Sequence, residues 1–404
     1  MEGMQMKKTC LLLVLCILLS VCTAFAEKTT EVAALLDQAQ AALEAGDYDT
    51  AVPILQEAAD QGDATGQLWL GNCYSAGLGV EQSDTEAAKY YQLAADQGNL
   101  LAEYNLAFCY MDGTGVAQDA GKAEELLKSC ADKGDAEAQY ALGYCYLYGD
   151  GLREDQAEAV KYLQLAADQN DARAFYYLGL SFENGWGVEP DPGKAVDCYR
   201  AGADLGLDAA QYKLGVLYQL GNGVEQDYEK AFQYYSRAAA QEYPEALTAV
   251  GFFYGQGLGT EQNLDEMLKY YKRAAEYGEP MAQFNLGCCY RDGTGVEQND
   301  EEVLRYFRLA VDQGNANAQF NLGFEYYIGR AVNQDYDEAF RLYRLAADQG
   351  FPVALFAVGD CYYLGTGVEK DLTATAEWYQ KALDAGYEPD EEDQKHLTDV
   401  MGNK

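Results

Sequence analysis

Cysteine is the residue type in this chain with the most chemistry on offer. Eleven are present, Cys10, Cys16 and Cys22 near the amino terminus and Cys73, Cys109, Cys130, Cys145, Cys198, Cys288, Cys289 and Cys361 beyond it. Thiols bridge, hold zinc or attack carbonyls. Zinc wants ligand pairs at close spacing, and no Cys-x-x-Cys occurs. Five of the eight (73, 109, 145, 289 and 361) share one column of a repeating pattern. Equivalent places in adjacent repeats should lie beyond the ~7 Å that two bridged Cα atoms tolerate. Packing is therefore the expected role, with a bridge from Cys130 to Cys109 or Cys145 left open. A nucleophile needs a base, and the one histidine, His396, follows the last repeat. The carboxylates could pair for acid–base work, but most fall at helix starts and on outward faces, as a solvated surface does. The Gly-x-Gly segments follow helices, not strands, and recur as turns, so they are not phosphate cradles.

Those residues must be positioned by something, and length and composition say what kind of thing. The 404 residues exceed one core of ordinary size, 49% are hydrophobic and 13% aromatic, which excludes a disordered chain. The net charge of −38 repels nucleic acid and anionic lipid. It favours solubility, and it attracts a basic partner. Lys7 and Lys8 precede an apolar run from Cys10 to Ala26 that ends Ala24-Phe25-Ala26, the small-x-small pattern of a cleaved leader. Residues 1–26 are read as a signal peptide and the protein as exported, secreted or held in the envelope. Membrane contact would come only through an uncleaved leader.

The elements emerge from internal repetition. Leu70-Gly71 recurs as Leu106-Ala107, Leu142-Gly143, Leu178-Gly179, Leu214-Gly215, Val250-Gly251, Leu286-Gly287, Leu322-Gly323 and Val358-Gly359, always 36 residues apart. A small residue four before each Leu and an aromatic four after it complete one face of an α-helix, helix A. Gly-x-Gly-Val then turns the chain, with Ala331 and Thr260 as departures. Three residues on, Ser83, Asp119, Asp155, Asp191, Asp227, Asn263, Asn299, Asp335 and Asp371 are N-cap formers that open helix B. Helix B carries an aromatic or Leu from Tyr91 to Tyr379, with a small residue three later. A hairpin cannot bury its apolar face alone, whereas stacked hairpins can. The expected fold is all-α, an α/α superhelical solenoid. Residues 27–62 form a degenerate capping pair, 63–386 hold nine repeats, and 387–404 are an acidic tail expected to fray.

The pattern Ala-x-x-x-Leu-Gly-x-x-Tyr-x-x-Gly-x-Gly-Val, then Asp, then Lys-Ala-x-x-Tyr-Tyr-x-x-Ala-Ala, resembles the Sel-1-like repeat of the tetratricopeptide superfamily. It is clearest in Gly251 to Gly287 and in the repeats from Asn99 and Asn315, and covers about four fifths of the chain. The resemblance implies a right-handed superhelix with helix A lining the concave side, and an adaptor role of the exported bacterial type. Some cysteine-rich relatives staple each repeat with a disulfide about eight residues long, a pairing without counterpart here. Those relatives have been linked to β-lactam binding or hydrolysis, which makes an extracytoplasmic hydrolase the alternative function. Its Ser-x-x-Lys nucleophile is absent beyond the leader.

The positions −1, +2 and +6 from each Leu share a face of helix A and vary most, as a recognition surface should. From them Trp69, Asn72, Asn105, Phe108, Asp112, Tyr144, Tyr148, Tyr177, Asn285, Asp292, Asn321 and Phe324 are the candidate partner-binding residues. Asn offers donor and acceptor to a peptide backbone, and aromatics offer area at little rotamer cost. The tyrosines and phenylalanines two before the Leu are too uniform for recognition and read as packing. The expected partner is a protein or peptide. No cofactor, metal or catalytic residue is called for.

Overall fold

The computed structural model describes residues 30–402, so the leader read at 1–26 lies outside the described residues. A first pair, α1 (30–44) and α2 (Tyr48–Asp60), precedes the repeats. The first repeat is α3 (Ala64–Ala76) with α4 (Asp84–Ala95), and the ninth is α19 (Pro352–Leu364) with α20 (Leu372–Asp384). Odd-numbered helices of the repeats are helix A and even-numbered ones helix B. No strand occurs among the described residues, and none of their helices is long and apolar enough to cross a membrane. The chain divides into two compact units between Leu205 and Gly206. Within each, helix A packs on its own helix B and helix B on the next helix A, which makes each unit a stretch of α/α solenoid.

Local chemistry explains the even lengths. All nine residues expected to cap helix B do so, each accepting a hydrogen bond from a backbone N–H in the first turn, as Asp119 does from Lys122. At the other end, nine glycines from Gly77 to Gly365 close helix A with φ between 67° and 76°. The crossing of A on B is set by a second glycine column. A Cβ on Gly215 would stand 2.5 Å from Cδ1 of the buried Tyr235, and one on Gly179 would stand 2.5 Å from Tyr199. Where the column holds Ala107, the facing residue of helix B is the smaller Leu127, fully buried.

A polar pair that the repeat pattern alone did not reveal links the ends of the hairpins. Gln139 is buried, and its Nε2 donates to the Ala131 carbonyl at 3.0 Å while its Oε1 accepts from Gln169 Nε2 at 2.8 Å. Gln169 also donates to the Gly134 carbonyl at 3.0 Å. The amides thus add bonds to carbonyls around the end of the preceding helix B, at Ala131, which also accepts from the Gly134 N–H, and at Gly134 in the turn beyond it. Gln67–Gln97, Gln211–Gln241, Gln283–Gln313 and Gln319–Gln349 repeat the arrangement. In the second repeat the same two places hold Glu103 and Lys133, an ion pair with Nζ 2.8 Å from Oε1. In the fourth, sixth and ninth they hold Phe175 and Leu205, Leu247 and Tyr277, Leu355 and Ala385.

The carboxyl terminus corrects one expectation. Residues 387–404 do not fray from Glu391 to Met401, which form α21 behind a capping box made by Asp390 and Asp393. Leu397 is buried, and Tyr387, Val400 and Met401 pack on the cluster that contains Phe356 and Tyr379. His396 meets Asp360 and Asp399 meets Tyr363, each pair 36 positions apart. Helix α21 therefore stands where a tenth helix A would. Its Lys395 occupies the place of the repeat glycine, which is acceptable because no described helix B crosses it. Asp390, Gln394 and Thr398 stand where the repeat has its small residue, its Leu and its aromatic, which is why the repeat pattern did not extend to it.

Candidate binding face of helix A

The −1, +2 and +6 positions do share a face of helix A, but they are not equally available. In the first unit, α7 (Ala136–Tyr148) and α9 (Ala172–Asn184) bring Tyr144, Tyr148 and Tyr177 into one aromatic cluster. Tyr177 meets Tyr144 edge-on at 5.3 Å and Tyr148 edge-on at 6.0 Å, while Tyr144 and Tyr148 lie 5.1 Å apart. Edge-on contact is the geometry that the ring quadrupoles prefer. Tyr140 and Trp186 extend the cluster, Trp186 standing 6.0 Å from Tyr148. Trp186 was missed because it belongs to a turn, where it replaces the small or polar residue usual between the two glycines. Tyr148 remains 45% exposed, enough to meet a partner. Surrounding rings desolvate its hydroxyl and push its pKa up to about 12.

The asparagines are less free than their chemistry suggested. Asn72 Oδ1 accepts from Tyr91 at 2.9 Å and from Asn105 at 3.2 Å, so these two candidates are spent partly on each other. Asn321 donates to the Asn317 carbonyl at 2.8 Å and accepts from Arg291 at 2.6 Å. Arg291 also holds the exposed Asp292 at 2.8 Å. Asn285 and Trp69 are half-buried, and Asp112 is exposed. Phe108 packs against Tyr104 at 4.9 Å, closer to packing than to recognition. Phe324, by contrast, is 42% exposed.

The thiols behave as packing residues. All eight described cysteines are free, and Cys73, Cys130, Cys145, Cys289 and Cys361 are buried. Cys130 donates to the Leu100 carbonyl at 3.4 Å, and Cys145 contacts Met111 Sδ at 3.9 Å. Burial pushes the thiols of Cys130 and Cys145 up to about 12, far from nucleophilic use. No group of three or more His, Cys, Asp or Glu among the described residues could hold a metal ion. His396 Nδ1 lies 3.0 Å from Asp360, but among the described residues no serine hydroxyl or cysteine thiol bonds to that ring. Glu325 takes the cysteine column in the eighth repeat, where it is fully buried and receives Arg330 Nε at 3.0 Å.

The second unit carries a partly enclosed cleft of about 330 Å³ where α17 (Ala316–Ile328), α19 and α21 converge. Phe320, Phe324, Phe356 and Leu364 are among its apolar lining residues and Asp360, Asp390, Glu392 and Asp393 are its carboxylates, with Asp360 lying between Phe356 and Leu364 along α19 at four-residue spacing.

The Sel1 repeat family matches nine consecutive segments: 64–99, 100–135, 136–171, 172–207, 208–243, 244–278, 280–315, 316–351 and 352–387. Among solved structures, a Sel1 repeat protein from Oxalobacter formigenes is 32% identical, with a TM-score of 0.59, covering 74% of this chain and 87% of that one. Another is c5321, a protective antigen present in uropathogenic Escherichia coli strains and displaying an SLR fold. It is 26% identical, with a TM-score of 0.58, over 91% of this chain and 93% of that one. No curated protein matches the sequence. Nine matched segments spanning most of the sequence, with helix pairs of the matching kind beneath each, make this chain a member of the Sel1 repeat family.

Proposed function

We propose that this protein is a secreted or envelope-located scaffold that holds a protein or peptide along the helix-A face and performs no chemistry of its own. One observation carries the reading. Tyr148, Leu220, Phe252, Phe324, Ile328 and Leu364, all at +2 or +6 of helix A, are 39–57% exposed. Five of them belong to the second unit and Tyr148 to the first, so within each unit helix A offers a partner apolar contact at these positions. Repeat scaffolds of this kind serve protein–protein contact, and the charge of −38 favours a basic partner over nucleic acid. The leader-like residues Lys7, Lys8 and Ala24-Phe25-Ala26 support export. The alternative, an extracytoplasmic hydrolase or β-lactam-binding enzyme, has no nucleophile paired with a base among the described residues to support it.

The test is affinity capture with the full chain, repeated with Tyr148→Ser, Phe252→Ser and Phe324→Ser combined. Proteins retained by the wild type and lost by the triple variant are expected. An unchanged set of captured proteins would overturn the helix-A reading.

A further inference from the structure

The cleft at α17, α19 and α21 interleaves apolar side chains with carboxylates. Its apolar lining is aromatic and aliphatic, and Phe324 and Leu364 in it are 42% and 47% exposed. Asp360, Asp390, Glu392 and Asp393 bring four carboxylates to the same cleft, and His396 is the one lining residue able to carry positive charge. That ring is already engaged with Asp360. Asp360 Oδ1 also accepts from Tyr379 at 2.7 Å, and Asp393 accepts from Tyr387 at 2.6 Å, which fixes both carboxylates in place. Asp390 is held as the N-cap of α21, and Glu392 is exposed. The site is thus built, with its anionic groups oriented by neighbours instead of waving on flexible stems. Burial keeps the Asp360 carboxyl above its ordinary range. A nearby cation would relieve that cost.

We infer that this cleft anchors a basic side chain, arginine or lysine, of a bound peptide, with an adjacent apolar residue of the same peptide lying against Phe324 and Leu364. An arginine suits the geometry because its aliphatic stem and planar head can lie on aromatic rings while the head meets a carboxylate. The inference rests on the proposed peptide-binding function and narrows it to a partner chemistry and an anchoring place. It assigns α21 a second role: besides covering the last repeat, it brings Glu392, Asp393 and His396 to the lining of the site.

The probe is a fluorescent octapeptide of alternating arginine and leucine, titrated by anisotropy into the full chain at physiological salt. A twin with citrulline in place of arginine keeps the shape and removes the charge. The protein variants are Asp360→Asn with Glu392→Gln, which retains hydrogen-bonding capacity while moving the net charge only from −38 to −36, and Phe324→Ser. Non-specific attraction to so acidic a chain would scarcely notice two charges. The expected result is at least a tenfold loss for the citrulline twin and for each variant, with unchanged melting temperatures. Absence of binding by the arginine peptide, or equal binding by the Asp360→Asn/Glu392→Gln protein, would overturn the inference. Binding that survives these changes but is lost with Tyr148→Ser would leave the scaffold reading standing and reject this cleft as its anchor.

Discussion

Lys133 Nζ stands 2.8 Å from the Glu103 carboxylate, and the glutamate side chain is only 8% exposed. The pair occupies the place where other repeats join two glutamines. A buried carboxylate that loses its counter-ion keeps its desolvation cost. Ser129 still donates to it at 2.9 Å, which limits the damage. Lys133→Ala should therefore cost about 1–3 kcal/mol by denaturant unfolding. Glu103→Gln with Lys133→Gln, which installs the common arrangement, should recover most of it. A double variant no better than the single one would show that the two columns are not interchangeable locks.

Gly215 lies against the face of Tyr235, so Gly215→Ala should destabilise by about 1–3 kcal/mol through overpacking. Tyr235→Leu in the same chain recreates the Ala107 and Leu127 combination of the second repeat. The pair should then couple favourably in a double-mutant cycle, read by thermal or urea melts. Additive losses would contradict the proposed steric origin of the glycine.

Helix α21 covers Phe356 and Tyr379 through residues that include Leu397. Leu397→Asp should loosen α19 and α20 in hydrogen exchange while leaving repeats nearer the middle of the second unit protected. Solenoid stability is a sum of nearest-neighbour terms, so loss of a terminal helix is felt most by the repeat it touches. Uniform loss of protection would argue against local capping.

Burial raises Cys145 to about 12 and Cys361 to about 11. At pH 8 the thiolate fraction of a thiol near 12 is ~10⁻⁴. Alkylation by iodoacetamide should label these two slowly in the native chain and rapidly in urea, as followed by mass spectrometry. Raising the pH towards the shifted values should accelerate native labelling. Fast native labelling at pH 8 would show that the thiols are neither desolvated nor enclosed.

Much of this fold was legible because it repeats. A column such as Leu70 to Val358 or Ser83 to Asp371 shows itself nine times, and its helix-forming chemistry is local. What hid was either non-periodic or cross-helical. The Gln139–Gln169 pair joins residues 30 apart and is written with glutamate and lysine, or with apolar residues, in other repeats. Helix α21 hid because Asp390, Gln394, Lys395 and Thr398 replace all four column residues of helix A. The helix-A positions expected to meet a partner were legible as one face of a helix, but their availability was not. Asn72 and Asn321 looked like free peptide grips until their hydrogen-bond partners were visible, whereas Tyr148 and Phe324 kept their exposure.

The glutamine pairs have a bearing on how such a chain can change. Both partners of each pair belong to one hairpin, and their remaining contacts are to backbone carbonyls that any neighbour supplies. Whole hairpins can thus be copied or shuffled without disturbing the match. A crossover inside a hairpin could set Lys133 opposite a glutamine, or leave Glu103 without a cation. A break at the joint between units keeps each such pair together, whereas one inside a unit parts it.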